Sequence, residues 1–266
     1  MPWTFAHPAA VLPLRRYCPR HLSFPALVVG SLTPDLGYYV PGAEFATHAH
    51  SFSGSVLICL PLGLMVLAVL CLLRKPLCYV LPQPHRAALM PLSEVPVTLT
   101  LSRLIKVAVS LVLGACTHII WDAFTHKRDL IGLHIEALQA PLFNVGATGV
   151  PVYYLTQWLS TLAGTAILLI AYRRWLRRAS TSLRHVATHE DRWRRALLIA
   201  IAAIALVIAV PLALDVAARF NGAFAAAVLM RCIAVFGTVA FALLVCASAV
   251  YCYWRRAGWI RRGEWP

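Results

Sequence analysis

Charge is what this sequence has least of. Asp, Glu, Lys and Arg make up 13% of its 266 residues, and only ten are acidic, against 60% hydrophobic residues. Mean hydropathy is +0.73. A soluble domain carries about a quarter charged residues. The scarcity therefore excludes one and places the chain among polytopic α-helical membrane proteins. Short alternating segments are missing too, and the apolar stretches are long and continuous, which excludes a membrane β-barrel. A basic folded domain is lacking, so the net charge of +14 gives no reason to expect nucleic acid as a partner. No CxxC pair occurs among the eight cysteines. Cys59, Cys71, Cys116, Cys232, Cys246 and Cys252 lie inside apolar segments, where they read as small buried hydrophobes. The first twenty residues hold Pro, Arg and His but no sustained apolar core, so no signal peptide is expected and the amino terminus should be retained. No internal repeat is visible.

What is present is a series of long apolar runs. Five are long enough to span a bilayer, over residues 53–73, 102–124, 151–172, 196–215 and 224–253, against the ~20 residues a hydrocarbon core requires. Arg231 lies in the last of them and must snorkel or face protein. A further stretch, 22–41, is interrupted by Pro25, Gly30, Pro34 and Asp35. It is expected to be helical or re-entrant and packed on protein; if it crosses, the count becomes six. The loop 74–101 holds five prolines and is expected to be extended. The fold expected is an all-α transmembrane bundle in three parts. Residues 1–172 form a membrane domain with the unusual polar residues, 173–195 a basic cytoplasmic loop, and 196–266 a transmembrane hairpin with a basic tail.

The basic residues orient these spans. Segments 74–106, 173–195 and 255–266 hold seventeen Lys and Arg, and segments 1–52, 125–150 and 216–223 hold six. Lys and Arg favour the cytoplasmic side. The carboxyl terminus is therefore expected in the cytoplasm of an inner or plasma membrane, and the amino terminus outside. Basic runs such as "YRRWLRR" are placed to touch anionic lipid headgroups.

One stretch contradicts its surroundings: "CTHIIWDAFTH", residues 116–126. Titratable groups are costly at the end of an apolar helix. His118, Asp122 and His126 are each four residues apart, so they rotate about 40° per step and share one arc. His118 and His126 are ~12 Å apart along the axis, too far to ligate one ion. His118 and Asp122 can share one. The expected topology brings this helix end to the same membrane face as His7 in "FAHP", Asp35 in "LTPDLGYY", and His48 and His50 in "THAHSFSG". His48 and His50 share a face in extended chain and diverge in a helix. Imidazole with carboxylate favours Zn²⁺, Mn²⁺ or Fe²⁺ over Ca²⁺ or Mg²⁺, with zinc first and one or two ions. Such a site lowers the pKa of water and clamps a phosphoryl or acyl oxygen.

"MPWTFAHPAAVLPLRR", "LVVGSLTPDLGYYV", "HSFSGS", "LGACTHIIWDAFTH" and "YYLTQWLSTLAG" occur in that order. The set resembles the bacterial membrane proteins catalogued as domain of unknown function number 4184, over roughly residues 1–172. The order of His, Pro-Asp, His and His-x-x-x-Asp is also similar to that of membrane-bound metal-dependent hydrolases, and more distantly to that of zinc-dependent phospholipases C. The resemblance implies metal ligation by His7, Asp35, His50, His118 and Asp122, with His126 as an adjunct. His48 falls beside the pattern.

Three function classes follow. A metal-dependent hydrolase of a lipid or lipid-linked ester or phosphoester would use the five ligands and a proton carrier, His126 or His48. A metal or proton transporter would place polar groups near the midplane of several spans; here they gather at one interface. A non-catalytic membrane protein would tolerate alanine at all of them. Haem is disfavoured, since there is no CxxCH motif and His118 and His126 lie on one face of one helix.

Overall fold

The computed structural model describes residues 3–36, 43–98, 100–125, 138, 140–145, 148–180, 189–218 and 224–256. It divides into two compact units.

The first unit comprises Met1–Ala68 and Val97–Ala171. Its amino-terminal part is a chain of short helices. A 3₁₀ turn at Thr4–Ala6 leads into α1 (Pro8–Val11), and a second 3₁₀ turn follows at Leu12–Tyr17. Then come α2 (Phe24–Gly30) and α3 (Thr33–Leu36), so the 22–41 stretch is helical but too short in each piece to span. Pro34 sits in the first turn of α3, where its missing N–H costs nothing. Next come α4 (Ala43–Ala49), α5 (Phe52–Gly54) and a π turn at Ser55–Cys59, which opens into α6 (Leu60–Tyr79). α7 (His85–Glu94) belongs to the second unit, and α8 (Leu101–Ala123) to the first. Thr100 caps α8 by accepting from the Arg103 amide at 3.3 Å. A β-hairpin of β1 (Pro141–Val145) and β2 (Thr148–Pro151) precedes α9 (Val152–Ser180).

The second unit comprises Val69–Pro96 and Tyr172–Pro266. In it α10 (His189–Ala218) packs along α11 (Phe224–Arg256).

Among the described residues, four helices are long and apolar enough to cross a membrane: Phe52–Tyr79, Leu101–Ala123, Val152–Ala179 and Asp191–Asp215. A shorter apolar run lies at Val235–Tyr251. Their outer faces carry exposed Leu57, Leu72, Leu101, Leu162, Ile199 and Val207. Such faces are unstable in water and suited to lipid. The chain is an all-α helical membrane protein.

One expectation fails outright. Much of 74–101 is helical rather than extended: α6 runs through Pro76 to Tyr79, and α7 (His85–Glu94) holds Pro91. Proline's fixed φ is itself helical, and it removes only one hydrogen bond while crowding one carbonyl. Those penalties do not undo these two helices. Likewise α9 continues through the arginines to Ser180, because arginine is a good helix former. His85 bonds the Tyr172 hydroxyl through Nδ1 at 2.7 Å, and burial lowers its pKa.

Candidate metal centre

The site is built on a close crossing of α2 and α8. A Cβ at Gly30 would strike the Leu111 carbonyl oxygen. A Cβ at Gly114 would strike the Leu27 carbonyl oxygen and lie 2.8 Å from the Ser31 nitrogen. Two glycines thus let backbone meet backbone, as small residues do between membrane helices. One turn beyond Gly114, fully buried His118 meets the Ser31 carbonyl, with Nδ1 2.8 Å from the oxygen. A carbonyl oxygen only accepts, so Nδ1 carries the proton and the lone pair of the neutral ring lies on Nε2.

That Nε2 faces two carboxylates. It lies 3.3 Å from Asp122 Oδ2 and 3.6 Å from Asp35 Oδ1. Asp122 is one helical turn along α8 and Asp35 sits on α3; they are 2% and 1% exposed. His50 follows α4, with Nε2 3.5 Å from Asp35 Oδ1 and 3.7 Å from Asp122 Oδ2. Its position is set from both sides. Ser51 caps α5 by accepting from the Gly54 amide at 2.9 Å. The π turn brings the Cys59 thiol to the Ala49 carbonyl at 3.4 Å. His50 is the least buried of the group, with 15% of its side chain exposed.

His7 stacks on His118, with ring centroids 3.6 Å apart at 20°. Its Nε2 lies 3.6 Å from Asp122 Oδ1. The amino-terminal segment that carries it is pinned by the Trp3 amide, which donates to Thr161 Oγ1 at 3.1 Å. Gly164 lets that segment sit close, since a Cβ there would touch the Ala6 oxygen at 3.0 Å. Thr4 donates to Asp35 Oδ2 at 2.6 Å. Burial alone would raise the Asp35 carboxyl. The His50, His118 and His7 imidazoles and the Thr4 hydroxyl outweigh it and hold the group below its ordinary value.

Asp35, His50, His118 and Asp122 each offer one ligand atom within 4.8 Å of the others. Donors about 2 Å from a tetrahedral ion lie about 3.3 Å from one another, close to the 3.3 to 3.7 Å separations between these imidazoles and carboxylates. Among the described residues, His118 Nε2 and Asp35 Oδ1 are buried and meet no hydrogen-bond partner. A lone pair aimed at two carboxylates requires a proton or a cation between them. The donor set fits a metal ion.

Of the residues read from the sequence, His7, Asp35, His50, His118 and Asp122 come together here. His48 does not: it lies inside α4 and is exposed, because the segment is helical and the two histidines diverge. His126 lies outside the described residues. The sequence reading missed Thr4, the Ser31 carbonyl and the two glycines at the crossing. Thr4 carries no signal beyond standing one 3₁₀ turn before His7, and a backbone carbonyl carries none.

A membrane domain with a buried His/Asp cluster capable of holding a metal is thus the class this chain defines. It belongs to the family described as Domain of unknown function (DUF4184), which matches residues 1–249. The match runs beyond residue 172, where the resemblance was expected to stop, and takes in most of α11. No curated protein and no solved structure matches the chain.

Proposed function

We propose that this protein is a membrane-embedded metal-dependent hydrolase of a lipid or lipid-linked ester or phosphoester. The observation that carries it is the lone pair of His118 Nε2, held by the Ser31 carbonyl and aimed between two buried carboxylates. Asp35, His50, His118 and Asp122 hold the ion, with His7 stacked behind them as a further ligand or ring support. Two imidazoles and two carboxylates suit zinc, with manganese or iron next. Bound there, a divalent ion supplies Lewis acidity toward a phosphoryl or acyl oxygen and acidifies water. The chain's own residues do the rest. The Ser31 carbonyl fixes the His118 tautomer, Thr4 orients Asp35, and His50 marks the side from which substrate approaches. Proton transfer is assigned to His126 or His48 from their sequence positions.

The excess of basic residues favours a cytoplasmic carboxyl terminus and a site near the outer face of the inner or plasma membrane. It also favours contact of the exposed Arg173, Arg174, Arg177 and Arg178 with anionic headgroups.

The test is elemental mass spectrometry on protein purified in detergent without chelator, beside His118→Ala, Asp122→Ala. Stoichiometric zinc or manganese, lost in a variant that still folds, is the expected result. Metal in neither protein would end the hydrolase reading.

A further inference from the structure

Beside the metal centre lies a cavity of about 400 Å³ lined by Trp121, Phe124, Thr125, Leu138, Thr156 and Ser160. That is within the ~300–1,000 Å³ of small-molecule sites. Three of the six residues carry hydroxyls, yet each hydroxyl is turned to its own helix. Thr156 donates to the Tyr153 carbonyl at 2.7 Å, and Ser160 to the Thr156 carbonyl. Thr125 reaches the Trp121 and Asp122 carbonyls, both at 3.4 Å. What faces the cavity is methyl, methylene and ring. Polar residue types therefore line an apolar hole, which excludes water and sugar and accepts hydrocarbon.

The cavity is continuous with the lipid-facing surface. Trp121 and Phe124 are 44% and 47% exposed, and Ile120, Leu155 and Leu159 beside them on the same two spans are exposed as well. Its link to the metal centre is Thr125, whose amide donates to the Asp122 carbonyl at 2.9 Å. Asp122 lies between Trp121 and Phe124 on α8, and buried Gln157 on α9 donates to the Thr125 carbonyl at 2.7 Å. One helix end thus presents carboxylate on one side and hydrocarbon lining on the other.

Building on the hydrolase reading of that centre, we infer that this cavity holds one long alkyl chain of a membrane lipid, with the polar head of that lipid presented to the Asp35, His50, His118 and Asp122 cluster. The substrate class is then an amphiphile drawn laterally from the bilayer rather than a soluble ester.

The test uses the full chain in phosphatidylcholine liposomes doped with phosphatidylcholine carrying a diazirine on one acyl chain. After photolysis, labelled positions are mapped by mass spectrometry. Label is expected to concentrate on residues 121–125 and 156–160, above the level on Leu101 and Ile105, which report ordinary bilayer contact. Ser160→Phe, which fills the cavity, is expected to lower it to the level found on Leu101 and Ile105. Phe124→Ser, at a half-exposed position that tolerates exchange, should lower it as well. Label spread evenly along α8, or unchanged in both variants, overturns the inference; so does a cavity that takes no label because the chain itself fills it. Metal content is measured on the same samples. Metal without concentrated label removes the alkyl site and leaves the metal centre standing. Label without metal keeps the alkyl site and removes the hydrolase.

Discussion

Each of the two units buries ionic groups, and they do so in opposite ways. In the second unit Arg194 is fully buried with Asp191, 3.9 Å from it. Arg194 Nε donates to the Tyr79 carbonyl at 2.8 Å, and its guanidinium lies 4.7 Å from the ring centroids of both Tyr79 and Trp193. Positive charge there meets carboxylate, carbonyl and π-faces, so both signs of charge come from the chain's own atoms. In the first unit, two buried carboxylates face the Nε2 lone pair of His118. The His118 proton is already given to the Ser31 carbonyl, so neutral His118 brings no positive charge to balance the two carboxylates. The first arrangement staples helices; the second is finished only by a cation or a proton. Burial of charge alone does not separate structure from chemistry. The balance of charge within each cluster does.

Five variants break or sharpen that contrast. The largest effect is expected from Arg194→Ala, which strands the Asp191 carboxylate and should cost about 3–5 kcal/mol in unfolding free energy. Arg194→Met with Asp191→Leu together should recover most of it. Metal content should be unchanged in both; a metal loss there would dissolve the contrast. Asp122→Asn comes next. It removes a charge but little volume, so metal affinity should fall by more than ~100-fold, beyond the range of outer-shell changes, while the melting temperature of the metal-free protein holds or rises. Gly114→Ala should destabilise by about 1–3 kcal/mol, because backbone rather than a flexible side chain must give way. It should weaken metal binding as well, since Ser31 moves from His118. Thr4→Val is the mildest. Asp35 loses the 2.6 Å hydrogen bond and metal affinity should drop about tenfold, with stability little changed. Titration with a competing chelator reads the metal effects, and thermal or denaturant unfolding in detergent reads the others.

How much of this was legible in the sequence depends on the range of the interaction. His118 and Asp122 were readable because one helical turn fixes their spacing whatever surrounds them. The spans were readable because bilayer thickness imposes a length. Asp35 on a short packed helix followed from Pro25, Gly30 and Pro34 interrupting an apolar run. The helix at His85–Glu94 was not legible, since counting prolines overstated what one missing amide does. The stacking of His7 on His118 joins residues more than a hundred positions apart, and no local pattern encodes it. Nor does any pattern encode the helix crossing. Gly30 and Gly114 read as ordinary small residues until their backbones are seen to touch.

The hydrogen bond from His118 to Ser31 carries one further consequence. Its acceptor is a main-chain oxygen, present whichever amino acid occupies position 31. Exchange of that side chain leaves the acceptor in place, so a scan of side chains can report position 31 as dispensable while the orientation of the imidazole depends on it. The atom that aims His118 is outside the reach of the genetic code. Only chemical synthesis that places an ester after residue 31, making its carbonyl a poorer acceptor, can vary it directly.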